Sequence, residues 1–173
     1  QLRVAWSTDL GCVPVDNDIA RIFEERVGKI ASSFKSCERR DPDMARALDV
    51  FWIIRGVGFL AGRMDAYRNT PELLGPNVTS NVEAALKMTA EEIGWASAEQ
   101  TAIYRRFQSF FDDVDVLLCP GNSVPPFPVE QLYCDEINGK KTANYVEWLG
   151  IASAITLTGH PVTLIPTGLD HTG

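Results

Sequence analysis

Apolar and polar positions alternate at the start of the chain, in Leu2-Arg3-Val4-Ala5-Trp6, and give way to Ser7-Thr8-Asp9-Leu10-Gly11. That pattern predicts a strand followed by a loop. The period then lengthens. Ile19, Ile22, Phe23, Val27 and Ile30 follow helical spacing with Glu24, Glu25, Arg26 and Lys29 mostly opposite, so a helix should run from an Asp16 cap to about Phe34. Asp41-Pro42 places a capping carboxylate before a proline and predicts a second helix, reaching Tyr67. Its residues Phe51 to Leu60 are apolar nearly all round, so it should be largely buried. Gly56 and Gly58 weaken it by about 1 kcal/mol each relative to Ala, which suggests a kink or a close packing contact there.

Asn69-Thr70-Pro71 and Pro76-Asn77 interrupt the pattern, and a shorter helix is expected over Asn81 to Ile93. Ser97-Ala98-Glu99-Gln100 reads as a capping box opening a further helix to about Phe111. Asp115-Val116-Leu117-Leu118-Cys119-Pro120 is a short apolar run closed by proline, the pattern of a buried strand. Pro120 to Lys141 reads as an extended loop, Asn144 to Leu157 as a helix, and Gly159-His160-Pro161 as a turn into a final buried strand, Val162 to Ile165. Strands separated by helices give an α/β fold, with helices packed on part of a mixed sheet. Three short strands leave exposed edges, so self-association through those edges is expected of the chain alone.

Composition narrows the partners. The 173 residues hold 45% hydrophobic and 23% charged residues, an ordinary globular balance, with a net charge of −7. The basic residues cluster only as Arg39-Arg40, Arg105-Arg106 and Lys140-Lys141, so nucleic-acid binding is not expected. No apolar run is long enough to span a bilayer, and no membrane partner is expected. Cys12, Cys37, Cys119 and Cys134 lack CxxC spacing, and neither His160 nor His171 completes a metal-binding pattern. Structural thiols in a reducing cytoplasm are expected, with no metal and no cofactor. The chain opens on an apolar run at Gln1 and stops at Gly173 after a turn-like Thr-Gly. It is therefore expected to be a single partial domain, residues 1–173, of a longer polypeptide.

The order of specific segments is narrower than the alternation. Leu2-Arg3-Val4-Ala5-Trp6 with Asp9-Leu10-Gly11, then Val15-Asp16 opening a helix, resembles the post-catalytic segment of amidase-signature enzymes. Phe111-Asp112-Asp113-Val114-Asp115-Val116-Leu117-Leu118-Cys119-Pro120 is similar to that family's "F, acidic, D-x-L-x-x-P" strand. Ile155-Thr156-Leu157-Thr158-Gly159-His160-Pro161-Val162-Thr163-Leu164-Ile165-Pro166-Thr167-Gly168 resembles its "T-G-x-P-A-x-x-x-P-x-G" element. The resemblance implies the C-terminal segment of the amidase-signature fold and a parent enzyme hydrolysing the carbon–nitrogen bond of a small-molecule amide. In that family a Ser nucleophile is activated by a second Ser in a cis peptide and by a Lys, beside a Gly/Ser-rich oxyanion loop.

This chain has no such run. Ser32-Ser33 are its only adjacent serines and lie at a helix end, and none of Lys29, Lys35, Lys87, Lys140 or Lys141 matches the family's Lys motif. No catalytic residue is carried over, and the chain alone is expected to be inactive. The resemblance places Gly121, Asn122, Ser123 and Val124, after the second buried strand, as residues lining a substrate cleft; an ordinary surface loop is the alternative. His160 reads as a structural histidine before Pro161, and Asp112, Asp113 and Asp115 as an acidic helix end rather than a metal cluster. Two competing readings remain: a catalytically dead amidase-like scaffold or binding module, and a subunit of the type of the amidotransferase that converts misacylated tRNA.

Overall fold

A computed structural model describes residues 1–169, so His171 lies outside the described residues. Its principal sheet has three parallel strands: β1 (Arg3–Trp6) at the centre, β2 (Ser36–Arg39) on one side and β3 (Val116–Leu118) on the other. Val4 pairs with Cys37 and with Val116. Val4 and Ala5 point to opposite faces and are both buried, so helices and loops cover the central strand on both sides. The fold class read from the sequence holds, as α/β with helices packed on a small sheet.

α1 (Asn17–Ile30) starts at the expected cap. The Asp16 carboxylate accepts the backbone N–H groups of Asp18 and Ile19, at 2.9 and 3.3 Å. A single 3-10 turn, Ala31–Ser33, then ends the helix short of Phe34 and feeds β2. The sequence reading missed β2 because Ser-Cys-Glu-Arg carries no apolar alternation; pairing with β1 makes it a strand.

α2 (Ala47–Asn69) begins after Arg46, in a left-handed conformation at φ 67°, rather than at Asp41-Pro42. Asp41 is committed elsewhere, accepting the Ser7 hydroxyl at 2.6 Å. Nor is α2 largely buried. Among its described side chains Phe51, Trp52, Ile53 and Ile54 are half-buried and Val57 is exposed, so much of its apolar surface is uncovered. Gly56 does make the expected close contact: a Cβ there would meet the Met88 methyl at 2.8 Å.

The expected helix over Asn81 to Ile93 resolves into two. α3 (Pro76–Ala85) starts on Pro76, whose fixed φ suits a first helical turn, and α4 (Ala90–Phe110) follows. The capping box of α4 is Thr89 with Glu92, not Ser97 with Gln100; Ser97 lies inside the helix and donates back to the Ile93 carbonyl at 3.0 Å. The loop after β3 contains a small antiparallel hairpin, β4 (Glu136–Ile137) and β5 (Lys140–Lys141). Asn138 and Gly139 turn it with φ of 52° and 78°, the pairing that a two-residue hairpin favours. The Asn138 amide then ties the hairpin to the start of α1, accepting from the Asn17 N–H at 2.9 Å and donating to the Val15 carbonyl at 2.8 Å.

α5 (Gly150–Thr156) follows a 3-10 turn at Glu147–Leu149 and closes the core against Leu10, Met44, Val50, Ile103 and Phe107. The last expected strand is not one. Val162, Leu164 and Ile165 are 68%, 78% and 69% exposed in an irregular segment, and among the described residues no strand pairs with them.

Candidate functional site

β3 carries its chain to Cys119-Pro120, and a groove of about 680 Å3 opens beside it. One wall is Leu117 to Gly121, the facing wall is Ile151 and Ile155 of α5, and His160 and Leu164 close the rim. Proline ends the strand because it has no N–H to continue the ladder, which frees the next residues to turn away from the sheet.

The four loop residues divide there. Gly121 and Asn122 are exposed, and Gly121 lines the groove, where a Cβ would meet Leu164 Cδ1 at 2.6 Å. Ser123 and Val124 turn inward and are buried. The Ser123 hydroxyl accepts the Ile151 N–H at 3.1 Å, and its carbonyl accepts the Asp16 N–H at 2.8 Å. Ser123 thus fastens the beginnings of α1 and α5 to the strand loop. This inward turn was not readable from a run of turn-forming residues.

His160 sits against the rings of Tyr104, Phe107 and Phe111, with centroids 5.6, 4.9 and 5.6 Å away. Its Nδ1 lies 2.9 Å from the Thr158 carbonyl, an acceptor, so Nδ1–H donates there. No hydroxyl or thiol is hydrogen-bonded to Nε2 among the described residues, so no nucleophile–base pair is built on it. Cys119 borders the same groove, but burial pushes its thiol up to about 11, which keeps it protonated and unreactive near neutrality.

The described serines hold no Ser-Ser-Lys arrangement. Ser32 and Ser33 are exposed in the 3-10 turn after α1. Ser7 is buried, donating to Asp41 and accepting the Leu10 N–H at 2.8 Å, a brace for the loop after β1. Among the described residues no three His, Cys, Asp or Glu side chains gather as metal ligands, and no helix is long and apolar enough to cross a membrane. Of the acidic run before β3, Asp113 binds Arg40 at 2.7 Å and Asp115 binds Arg3 at 2.6 Å. Sequence reading missed these pairs, which join residues more than 70 positions apart.

The family model described as Amidase matches residues 1–173. An acylamidase of Rhodococcus erythropolis is 21% identical over 99% of this chain, which spans 36% of that relative. The crystal structure of a bacterial aryl acylamidase of the amidase signature family superposes with a TM-score of 0.83 at 16% identity, over 97% of this chain and 37% of its own. A crystal structure of amidase does so with a TM-score of 0.77 at 17% identity, over 92% and 37%. The chain therefore spans little more than a third of these relatives and shares the fold of the matching part of the two solved structures. With the whole of its sequence matched, this chain belongs to the Amidase family.

Proposed function

We propose that this chain forms one wall of the acyl pocket of an amide-hydrolysing enzyme, whose nucleophile and base are supplied by residues outside it. The observation that carries the reading is the groove beside β3, which Gly121 lines and from which the chain continues into the exposed Asn122. Ligands of parallel α/β sheets meet such strand ends. Ser123 and Val124 hold the wall in place from behind, so that small residues face the substrate and buried ones fix their position. The apolar lining, from Leu117, Ile151 and Ile155, suits the hydrocarbon part of a small-molecule acyl group. The amide carbon would be attacked by a serine hydroxyl, with the amine leaving and water later releasing the acyl group. The acylamidase names of the relatives support an amide as the bond broken.

Four free cysteines, two of them with thiols raised to about 11 by burial, support a reducing, cytoplasmic setting. The outer edge of β3, which pairs with no strand among the described residues, supports self-association of the chain when it stands alone.

The test is direct. The purified chain, incubated with 4-nitroacetanilide and separately with a serine-directed fluorophosphonate, is expected to give neither turnover nor stoichiometric labelling. Turnover that the reagent abolishes would place the chemistry within the chain and end this reading. In a full-length amidase carrying this segment, Asn122→Trp should change the ratio of kcat/KM between a short and a long acyl chain. An unchanged ratio would remove Asn122 from the pocket wall.

A further inference from the structure

A second concavity shares Thr156 of α5 with the first but has none of the strand-loop residues in its lining. On one face of α2, a trough of about 600 Å3 is lined by Phe51, Ile54, Arg55, Phe59 and Arg63, with Gln100 of α4 at its side. Gly58 and Gly62 share that face, and a Cβ at either would meet nothing within 4 Å, so the trough floor is open where larger side chains would fill it.

Arg55 is held there in an unusual way. Its Nη1 donates to Asn81 Oδ1. Asn81 is itself buried, 5% exposed, and its Nδ2 donates to the Asn77 carbonyl at 2.6 Å. That bond fixes which end of the Asn81 amide faces the guanidinium. Phe59 and Tyr145 stand on the guanidinium at 4.4 and 5.1 Å from their ring centroids. Arg40 and Arg106, also half-buried, are neutralised by carboxylates: Asp113 for the first, Glu99 and Asp43 for the second. Among the described residues no carboxylate pairs with Arg55.

A guanidinium presents five N–H donors in a planar fork, and here a single one is bonded among the described residues. Aromatic faces restrict its rotation and an amide oxygen sets its direction, so the ordering cost of a bidentate contact is met in advance. Burial draws the Arg55 pKa below its ordinary value, and the Tyr145 phenol opposes that shift. The cation is thus poorly solvated and has no carboxylate partner among the described residues, while Arg63 adds a second positive charge to the trough lining.

We propose that the α2 trough is a binding site for a small organic carboxylate with an apolar body, its carboxyl group on the Arg55 fork and its hydrocarbon against Phe51, Ile54 and Phe59. The site does not depend on the reading of the β3 groove and needs no catalytic residue.

The probe is 3-phenylpropanoate, with 3-phenylpropanamide as the uncharged isostere, titrated into the intact chain and followed by the arginine side-chain N–H resonances and by calorimetry. The carboxylate is expected to bind saturably and about tenfold or more tightly than the amide, the margin of one charge-assisted fork. Arg55→Gln should remove that preference, and Arg55→Lys, which keeps the charge without the fork, should recover part of it. Equal affinity for acid and amide overturns the proposal in the native chain, whether or not either variant folds. So does an undiminished preference in a folded Arg55→Gln, or a chain that buries this face in a dimer and binds neither compound. Activity plays no part in the readout, so failure here leaves the proposed amide hydrolysis untouched.

Discussion

Ser123 and Ile151 are joined by a buried hydrogen bond, the serine hydroxyl accepting the helix amide at 3.1 Å. Ser123 is fully enclosed, and the N–H it receives belongs to the first turn of α5, where no intrahelical carbonyl can take it. Ser123→Ala would leave that donor without a partner, a loss of about 1–3 kcal/mol in urea unfolding. Asn122→Ala, on an exposed neighbour, should stay within about 0.5 kcal/mol of the parent. Equal effects at the two positions would mean that Ser123 does not fasten the helix.

The two Ser/Thr-x-x-Glu/Gln patterns near α4 make opposite forecasts. Thr89 accepts the Glu92 N–H at 3.1 Å while the Glu92 carboxylate accepts the Thr89 N–H at 2.7 Å and the Thr89 hydroxyl at 3.0 Å, and these last two bonds hold the Glu92 carboxyl below its ordinary value. Thr89→Ala should cost about 1 kcal/mol. Ser97→Ala should be neutral or slightly stabilising, because alanine is the better residue inside an exposed helical turn. Thermal melts of the two variants decide between them.

Asp115 sets a pH dependence. Its carboxylate receives the Arg3 side chain at 2.6 Å and the Arg3 backbone N–H at 2.7 Å, and lies at about 2 against an ordinary 3.8. In that interval the unfolded chain binds a proton that the folded chain does not, so stability falls as the solution is acidified. The contribution is complete above 3.8 and gone once pH passes below about 2. Asp113, depressed mainly by its hydrogen bonds from Arg40, steepens the same slope. Unfolding free energies of the native chain and Asp115→Asn, measured from about pH 5 downward, should converge. A gap that does not change with pH would show that the Arg3 pair is not the source.

Two glycines in helices should respond in opposite directions to alanine. A Cβ on Gly28 of α1 meets nothing within 4 Å, so Gly28→Ala should stabilise by about 0.5–1 kcal/mol through helix propensity and the stiffer unfolded chain. A Cβ on Gly150, where α5 begins, runs into Val13 Cγ1 and lies 3.4 Å from the Ser123 hydroxyl. Gly150→Ala should therefore cost about 1–3 kcal/mol by overpacking. Matching shifts in the denaturation midpoint would contradict the packing described here.

Local signals were legible where one residue decides an outcome. Asp16 caps α1, Pro120 ends β3, and Gly56 marks a helix contact, each from its own stereochemistry. The Asn138-Gly139 hairpin carried a readable signal that the density of prolines and glycines around it obscured. β2 carried none, since its four residues become a strand only beside β1. α2 was misjudged for a related reason: a helix apolar all round was taken as covered, whereas its cover is incomplete among the described residues. The strand end was readable from Pro120, but which loop residues turn inward depended on contacts 28 positions away, from Ser123 to Ile151. Arg55 gave no sign in sequence, because the amide that directs it lies 26 positions further on.

The order β2-β1-β3 also has a kinetic side. Of the three strands the central one is made first, yet its partner on one side arrives 112 positions later, and the asparagine that locks the first helix's entrance lies 121 positions beyond Asn17. Contacts so distant along the chain close slowly, because a long loop must be ordered before they form. During synthesis the contacts that the first strand and helix make with these later residues must therefore wait until β3 and the hairpin have left the ribosome.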